Sequence, residues 1–240
     1  MRIEYIQGIP FEDVLAELDI PTIPQTRFYS AVILLMLHYL HEHYIIYRDL
    51  KPENLICDKN GYLKLIDMGT AKILNTNSES TEEAGEDNPE RTFTMLGTPH
   101  YMAPEVVRQS GYSYPADYWS FGVVLFEILC GYVPFGAEED DAYKIYEMIQ
   151  SAPLEFPEDV TDEPFIDLVK LLLNKSVEAR LTMASTSLMA HDFFANVDWD
   201  NFMQLKEEPP FIPEIAFETP RSTVTFNEGI RVVSILLRKN

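Results

Sequence analysis

Cationic residues are scarce: 18 Lys and Arg stand against 39 Asp and Glu, a formal net charge of −21. A surface that acidic repels nucleic-acid phosphates and anionic lipid headgroups, which excludes both as main partners and suits basic peptides better. Long apolar runs are also missing. The longest, residues 31–37 (AVILLML) and 121–126 (FGVVLF), fall well short of the roughly 20 residues that a membrane span needs. Cysteine is reduced to two, Cys57 and Cys130, each inside an apolar stretch with no metal-type neighbour. Both read as buried thiols in a reducing compartment, not as a disulfide framework. No secretory leader is legible in MRIEYIQGIPFEDVL, where acids interrupt the apolar residues. The expected setting is intracellular and soluble. Internal repeats are absent, and the one biased tract, residues 75–88 (NTNSESTEEAGEDN), is acidic and aperiodic, as a flexible loop is.

What is present suits a folded unit. Hydrophobic residues make up 46% and aromatics 12% of 240 residues, enough to bury a sizeable core in one or two domains. Residues 26–41 (TRFYSAVILLMLHYLH) read as a helix buried on most faces, and residues 117–130 (DYWSFGVVLFEILC) as a second, closed by Gly131. Shorter helices are expected at 142–150, 163–174 and 182–190. Residues 55–66 form two short apolar strands around Asn60-Gly61, a strong hairpin signal. Beyond Asp198 the chain turns Pro-rich (KEEPPFIPEI) and reads as an extended tail wrapping a surface. The pattern is one mainly helical unit with one functional hairpin.

The chemistry concentrates in residues 47–56, YRDLKPENLI. A surface loop could hold that much charge by chance. The spacing argues for more: Asn54 follows Asp49 by five, and Asp67 comes thirteen later across the hairpin, which returns it near Asn54. A carboxylate and an amide oxygen make a hard pair suited to Mg²⁺, which completes its shell with water and phosphate. Lys51 could neutralise a transferred phosphoryl group, and Asp49 could orient a hydroxyl and accept its proton.

YRDLKPEN, DMG (67–69) and APE (103–105) stand in the order of the eukaryotic protein-kinase signature set, which the chain resembles from about Ile3 to Pro213. RTFTMLGTPHYMAPE and YSYPADYWSFGVVLFEILCGYVPF look like the AGC group that contains the cyclic-nucleotide-dependent Ser/Thr kinases. The resemblance implies an α+β, protein-kinase-like fold: a mainly α-helical large lobe with a small β-hairpin. Residues 1–195 would be that lobe, starting at the hinge, and residues 196–240 part of an AGC-type C-terminal tail.

By the same resemblance Asp49 is the catalytic base, Asn54 and Asp67 hold the metal, Lys51 contacts the γ-phosphate and Thr98 supports Asp49 and Lys51. ATP and Mg²⁺ are the implied cofactors. Residues 3–6, with Glu4 and Ile6, would be the hinge that holds adenine over Ile56, with Glu53 nearby. Glu105 would pair with Arg180, and Asp117 would brace the catalytic loop. Thr94 matches an activation-loop phosphosite for an activating kinase, its phosphate clamped by Arg48 and Lys72. Glu53 and Glu127 match positions that take basic side chains of a protein substrate, and Met95, Pro99 and Met102 would line a pocket for the residue after the acceptor.

Departures from the pattern shape the expectation. No Gly-rich loop, strand Lys or partnering helix Glu precedes the hinge-like segment, so the small lobe is expected to be absent and this chain alone inactive. Tyr47 stands where His is more general, Met68 replaces Phe, and Pro10 takes a place where relatives often carry an acid. Two other readings stay open: a large lobe that binds partners without turnover, and a small-molecule phosphotransferase of related fold, against which the peptide-docking segment 95–105 argues.

Overall fold

A computed structural model gives the fold and describes residues 6–74, 91–180 and 188–214. Strand β1 (Gly8–Pro10) leads directly into helix α1 (Phe11–Leu18), which buries Phe11 and Val14. Helix α2 (Ile23–Glu42) begins where the Thr22 N–H donates to Gln25 Oε1 at 2.8 Å. Pro24 sits in its first turn, where no intrahelical N–H is needed. Burial runs almost unbroken from Thr26 to Leu40, so α2 is a core helix, not an amphipathic surface one.

Strand β2 (Ile45–Ile46) precedes the charged loop, and β3 (Leu55–Asp58) and β4 (Leu63–Leu65) form the hairpin. The sheet order is β1-β3-β4, antiparallel throughout, with Pro10 opposite Ile56 and Leu55 opposite Leu65. A Cβ on Gly8 would lie 2.2 Å from the Cys57 carbonyl oxygen, so a side chain there would lift β1 off β3. β5 (Lys72–Ile73) pairs with β2.

Next come α3 (Pro104–Val107) and α4 (Pro115–Cys130), followed by α5 (Ala142–Ser151) and α6 (Glu163–Leu172). The two later helices have Asp caps: Asp141 accepts from the Tyr143 N–H, and Asp162 from that of Phe165. α4 packs against both α2 and α6. Leu34, Leu37, Phe121, Val124, Leu125 and Phe126 are all fully buried. Each such side chain contributes about 1.5–3 kcal/mol, so this helix set is the main source of stability and the platform for the charged loop.

Both long helices extend beyond the expected 26–41 and 117–130, because Thr22 and Pro115 offer better starts than the apolar pattern marks. α6 stops at Leu172, two residues before the expected Asn174. Residues 182–187 of the expected helix 182–190 lie outside the described residues, and 188–190 are bend and turn. α1 and β1 were not foreseen, so the hairpin is two-thirds of a larger sheet.

The tail needs a correction as well. It is not extended throughout: α7 (Trp199–Met203) is capped by Asp198 and buries Phe202 against Phe28 at a ring separation of 5.2 Å. Only after it does the chain run as a strap, where Tyr62 donates to the Glu207 carbonyl at 2.6 Å. The acidic tract 75–88 lies outside the described residues. Among the described residues no helix is long and apolar enough to cross a membrane.

Candidate active site

The loop between β2 and β3 is held from below by Asp117, fully buried near the start of α4. Asp117 Oδ2 accepts the Tyr47 N–H at 2.9 Å, and Oδ1 accepts the Arg48 N–H at 2.8 Å. His41, at the end of α2, adds a contact of 2.8 Å from Nε2 to Oδ2. This anchor lets Arg48 adopt a φ of +73°, a left-handed conformation that non-glycine residues rarely take. The bend turns the next residue, Asp49, out of the loop.

Asp49 is the hub. Its Oδ1 accepts from the Thr98 N–H at 3.2 Å and lies 3.3 Å from Thr98 Oγ1. Its Oδ2 accepts from Asn54 Nδ2 at 2.9 Å and lies 3.6 Å from Lys51 Nζ. Lys51 Nζ donates to Thr98 Oγ1 at 2.5 Å. Gly97 makes room for Thr98: its φ is +119°, and a Cβ there would meet the Arg48 carbonyl oxygen at 2.9 Å. Four sequence-predicted residues thus share one network, although Thr98 lies 49 positions from Asp49.

Asn54 donates its amide N–H₂ to the Asp49 carboxylate and carbonyl. That orientation leaves Oδ1 without a partner among the described residues. The Ile66 N–H donates to the Asn54 carbonyl at 2.9 Å, so Asp67 emerges beside Asn54. Asp67 has a φ of +55° and accepts from the Gly69 N–H through Oδ1 at 2.9 Å, leaving Oδ2 without a hydrogen bond among the described residues. An amide oxygen and a carboxylate on adjacent backbones are hard donors that fit Mg²⁺. Tyr47 ties the two loops together, its hydroxyl donating to the Ile66 carbonyl at 2.5 Å. Burial, then the Asp49, Asp67 and Asp117 carboxylates, push that phenol far above its ordinary pKa, so it remains a donor.

The other predicted residues lie as follows. Glu105 and Arg180 form a buried bidentate pair at 2.6 and 3.0 Å. Ile56 is half-buried on β3, Ile6 is half-buried just before β1, and Glu4 lies outside the described residues. Arg48 is engaged with the Thr70 carbonyl and lies 3.4 Å from Thr92 Oγ1. Thr94 and Lys72 are both exposed, and the Thr94 carbonyl accepts from Tyr112 at 2.6 Å. Met102 lines a small cavity with Arg48 and Asp49, whereas Met95 lines a different one against α5. Pro99 opens the single turn between Thr98 and Met102.

Glu127 accepts from the Tyr101 hydroxyl at 2.7 Å. Its carboxyl is pushed up to about 7, by burial first and then by Glu53 and Glu12. Glu12, on α1, is raised by burial and by Glu53 and Asp13. Sequence reading missed Glu12, His41 and Tyr101. The available signal for Glu12 was an acid two residues after Pro10, where an acid is otherwise missing.

Because Glu127 has a folded pKa above the ordinary 4.5, its contribution to stability is fully present below that value and lost as pH rises through about 7. Urea midpoints should therefore fall between pH 5 and 8. Glu127→Gln should flatten that fall, and an unchanged slope would remove Glu127 as its source.

A helical lobe that offers a buried-anchored Asp-Lys-Asn loop beside a hairpin-borne Asp belongs to the protein-kinase type of phosphotransferase architecture. The chain belongs to the protein kinase domain family, whose model matches residues 1–194. It is 40% identical over 212 residues to a cGMP-dependent protein kinase of Plasmodium berghei, covering 87% of this chain and 23% of that protein. The corresponding protein of Toxoplasma gondii is 38% identical over 236 residues, 96% of this chain and 22% of that one. A cAMP-dependent protein kinase catalytic subunit of Arthrobotrys oligospora is 36% identical over 218 residues, 90% of this chain and 39% of that one. The chain thus spans a fifth to two-fifths of the length of these relatives.

Proposed function

We propose that the protein transfers the γ-phosphoryl group of ATP to a Ser or Thr hydroxyl of a protein substrate. The observation that carries this reading is the Asp49 carboxylate held by Thr98 and Asn54 with Lys51 Nζ at 3.6 Å. Asp49 orients the acceptor hydroxyl and takes its proton, and Lys51 offsets charge on the group in transit. Asn54 and Asp67 would hold Mg²⁺, which neutralises phosphate charge when bound. Thr98 and Asp117 position this set without touching substrate.

Residues 1–195 act in this reading as the large lobe and 196–240 as part of the tail. The 240 residues contain no G-x-G-x-x-G sequence, so a roof over the ATP phosphates is assigned to another segment or chain, and turnover by these residues alone is expected to be poor. A basic sequence context for the acceptor is supported by Glu53 and Glu12, which lie close enough to Glu127 to raise its pKa. Phosphate on the exposed Thr94 would compete for Arg48, which already reaches the neighbouring Thr92.

The test uses the protein at its native length, Mg·ATP labelled at the γ-phosphate, and a Ser peptide with Arg upstream. Labelled phosphoserine is expected, and an acidic upstream preference would remove the basic context. Asp67→Asn should lower transfer at 1 mM Mg²⁺ by roughly 10²-fold, with partial recovery at higher Mg²⁺. No transfer by the unaltered protein, with peptide binding retained, would leave the binding-module reading in its place.

A further inference from the structure

A separate cavity of about 260 Å³ opens where the start of α2 meets the turn before α7 and the strap that follows it. It shares no lining residue with the Asp49 network. Its apolar lining is Phe28, Phe202 and Val197. The two rings are buried and stand 5.2 Å apart.

Charges of both signs share the same walls: Arg27 from α2, and Glu207 and Glu208 from the strap. Arg27 Nε donates to the Phe193 carbonyl, and the guanidinium lies 5.2 Å over the Phe193 ring. Those contacts fix the side chain and leave Nη1 and Nη2 without a hydrogen bond among the described residues. The Glu207 and Glu208 carboxylates have no ion-pair partner among the described residues, Arg27 included. Glu207 is tied to the fold through its backbone, whose carbonyl accepts from Tyr62 at 2.6 Å.

These walls restrict the ligand. The volume falls just under the roughly 300–1,000 Å³ of sites for drug-sized molecules, so the occupant is smaller than a nucleotide or a peptide segment. A fatty chain would set three charges against hydrocarbon without compensation. A simple anion would meet two carboxylates, and a simple cation would meet the guanidinium. A small zwitterion with an apolar body satisfies every wall.

We propose that this cavity binds a free α-amino acid with an apolar side chain. Its carboxylate lies against Arg27 Nη1 and Nη2, a planar fork that matches it. Its ammonium lies against Glu207 and Glu208, and its side chain against Phe28 and Phe202. Such a ligand bridges α2 and the strap. It thereby fastens the strap over the hairpin turn, where a Cβ on Gly61 would already meet the Phe211 carbonyl oxygen at 2.4 Å.

Isothermal titration calorimetry on the protein at native length tests this, with leucine, isoleucine, phenylalanine and methionine each taken to about 10 mM, enough to detect a Kd near 1 mM. At least one should bind. Its N-acetyl and amide derivatives, which lack the ammonium and the carboxylate, should each bind at least about tenfold more weakly. Arg27→Gln should weaken the free amino acid by a similar factor, as should Glu207→Gln combined with Glu208→Gln, whose side chains hold nothing in the fold. Asp49→Asn should leave binding within about twofold, which separates this cavity from the catalytic site. Failure of all four amino acids to bind would overturn the proposal. So would binding indifferent to the Glu207 and Glu208 pair, binding retained by the N-acetyl derivative, or binding lost with Asp49→Asn.

Discussion

Asp49→Asn is expected to reduce phosphoryl transfer by about 10²–10⁴-fold, the usual contribution of a positioned general base. The substitution keeps the volume of the side chain and most of its surroundings. Thr98 can still donate to the remaining oxygen, and the backbone bend at Arg48 is fixed by Asp117, not by Asp49. What disappears is the second oxygen, which now faces Asn54 Nδ2 at 2.9 Å and Lys51 Nζ at 3.6 Å. An amide nitrogen in that place cannot accept a proton, and it meets a donor. Asn54 and Asp67 keep their own oxygens, so the KM for ATP should change by less than about threefold while the maximal rate collapses. Steady-state transfer by the protein at native length, at saturating Mg²⁺, measures both quantities. A rate loss under tenfold would remove Asp49 from the role of base, and a parallel rise in the KM for ATP would point to a damaged metal site.

Glu105→Gln is expected to cost about 3–5 kcal/mol of stability, the range for breaking a buried ion pair from one side. Arg180 is 4% exposed, and its guanidinium lies 5.1 Å from the Trp119 ring. Nε and Nη1 also donate to the carbonyls of Asn174 and Pro115, each at 3.0 Å. Those bonds keep the cation in place when its counter-charge goes, so it stays buried and uncompensated. The pair clamps α3 to the start of α4 and to the turn after α6. The expected result is a urea midpoint lower by roughly 1–2 M. Replacing both residues with Leu and Met should recover much of the loss, since it removes the desolvated charges together. A midpoint shift under about 0.3 M for Glu105→Gln would mean that water reaches the guanidinium.

These two expectations draw unequally on the sequence. The Asp49, Lys51, Asn54 and Asp67 set was legible because its members sit within 19 residues and the hairpin between them has its own local signal at Asn60-Gly61. α2 and α4 were legible because apolar residues crowd every face. α1 was not: its acids, Glu12 and Asp13, occupy the solvent side of a helix only eight residues long, too short for a periodic pattern to stand out. β1 was not legible either, since three residues have no period and Gly8 is placed by the approach of Cys57, 49 positions away.

The sequence by itself determined which residues carry charge, which helices are core, and that a carboxylate, an ammonium and an amide would be close together on one loop. Local propensity and apolar pattern are sufficient for that. Only the tertiary structure decided what those groups do to one another. Asp117 at 2.8–2.9 Å from two backbone N–H groups holds Arg48 in a left-handed bend, and Gly97 lets Thr98 reach Asp49. Burial beside Glu53 and Glu12 moves the Glu127 carboxyl to about 7. Each of these depends on distances between segments tens of residues apart, and on the exclusion of water between them, which packing alone sets.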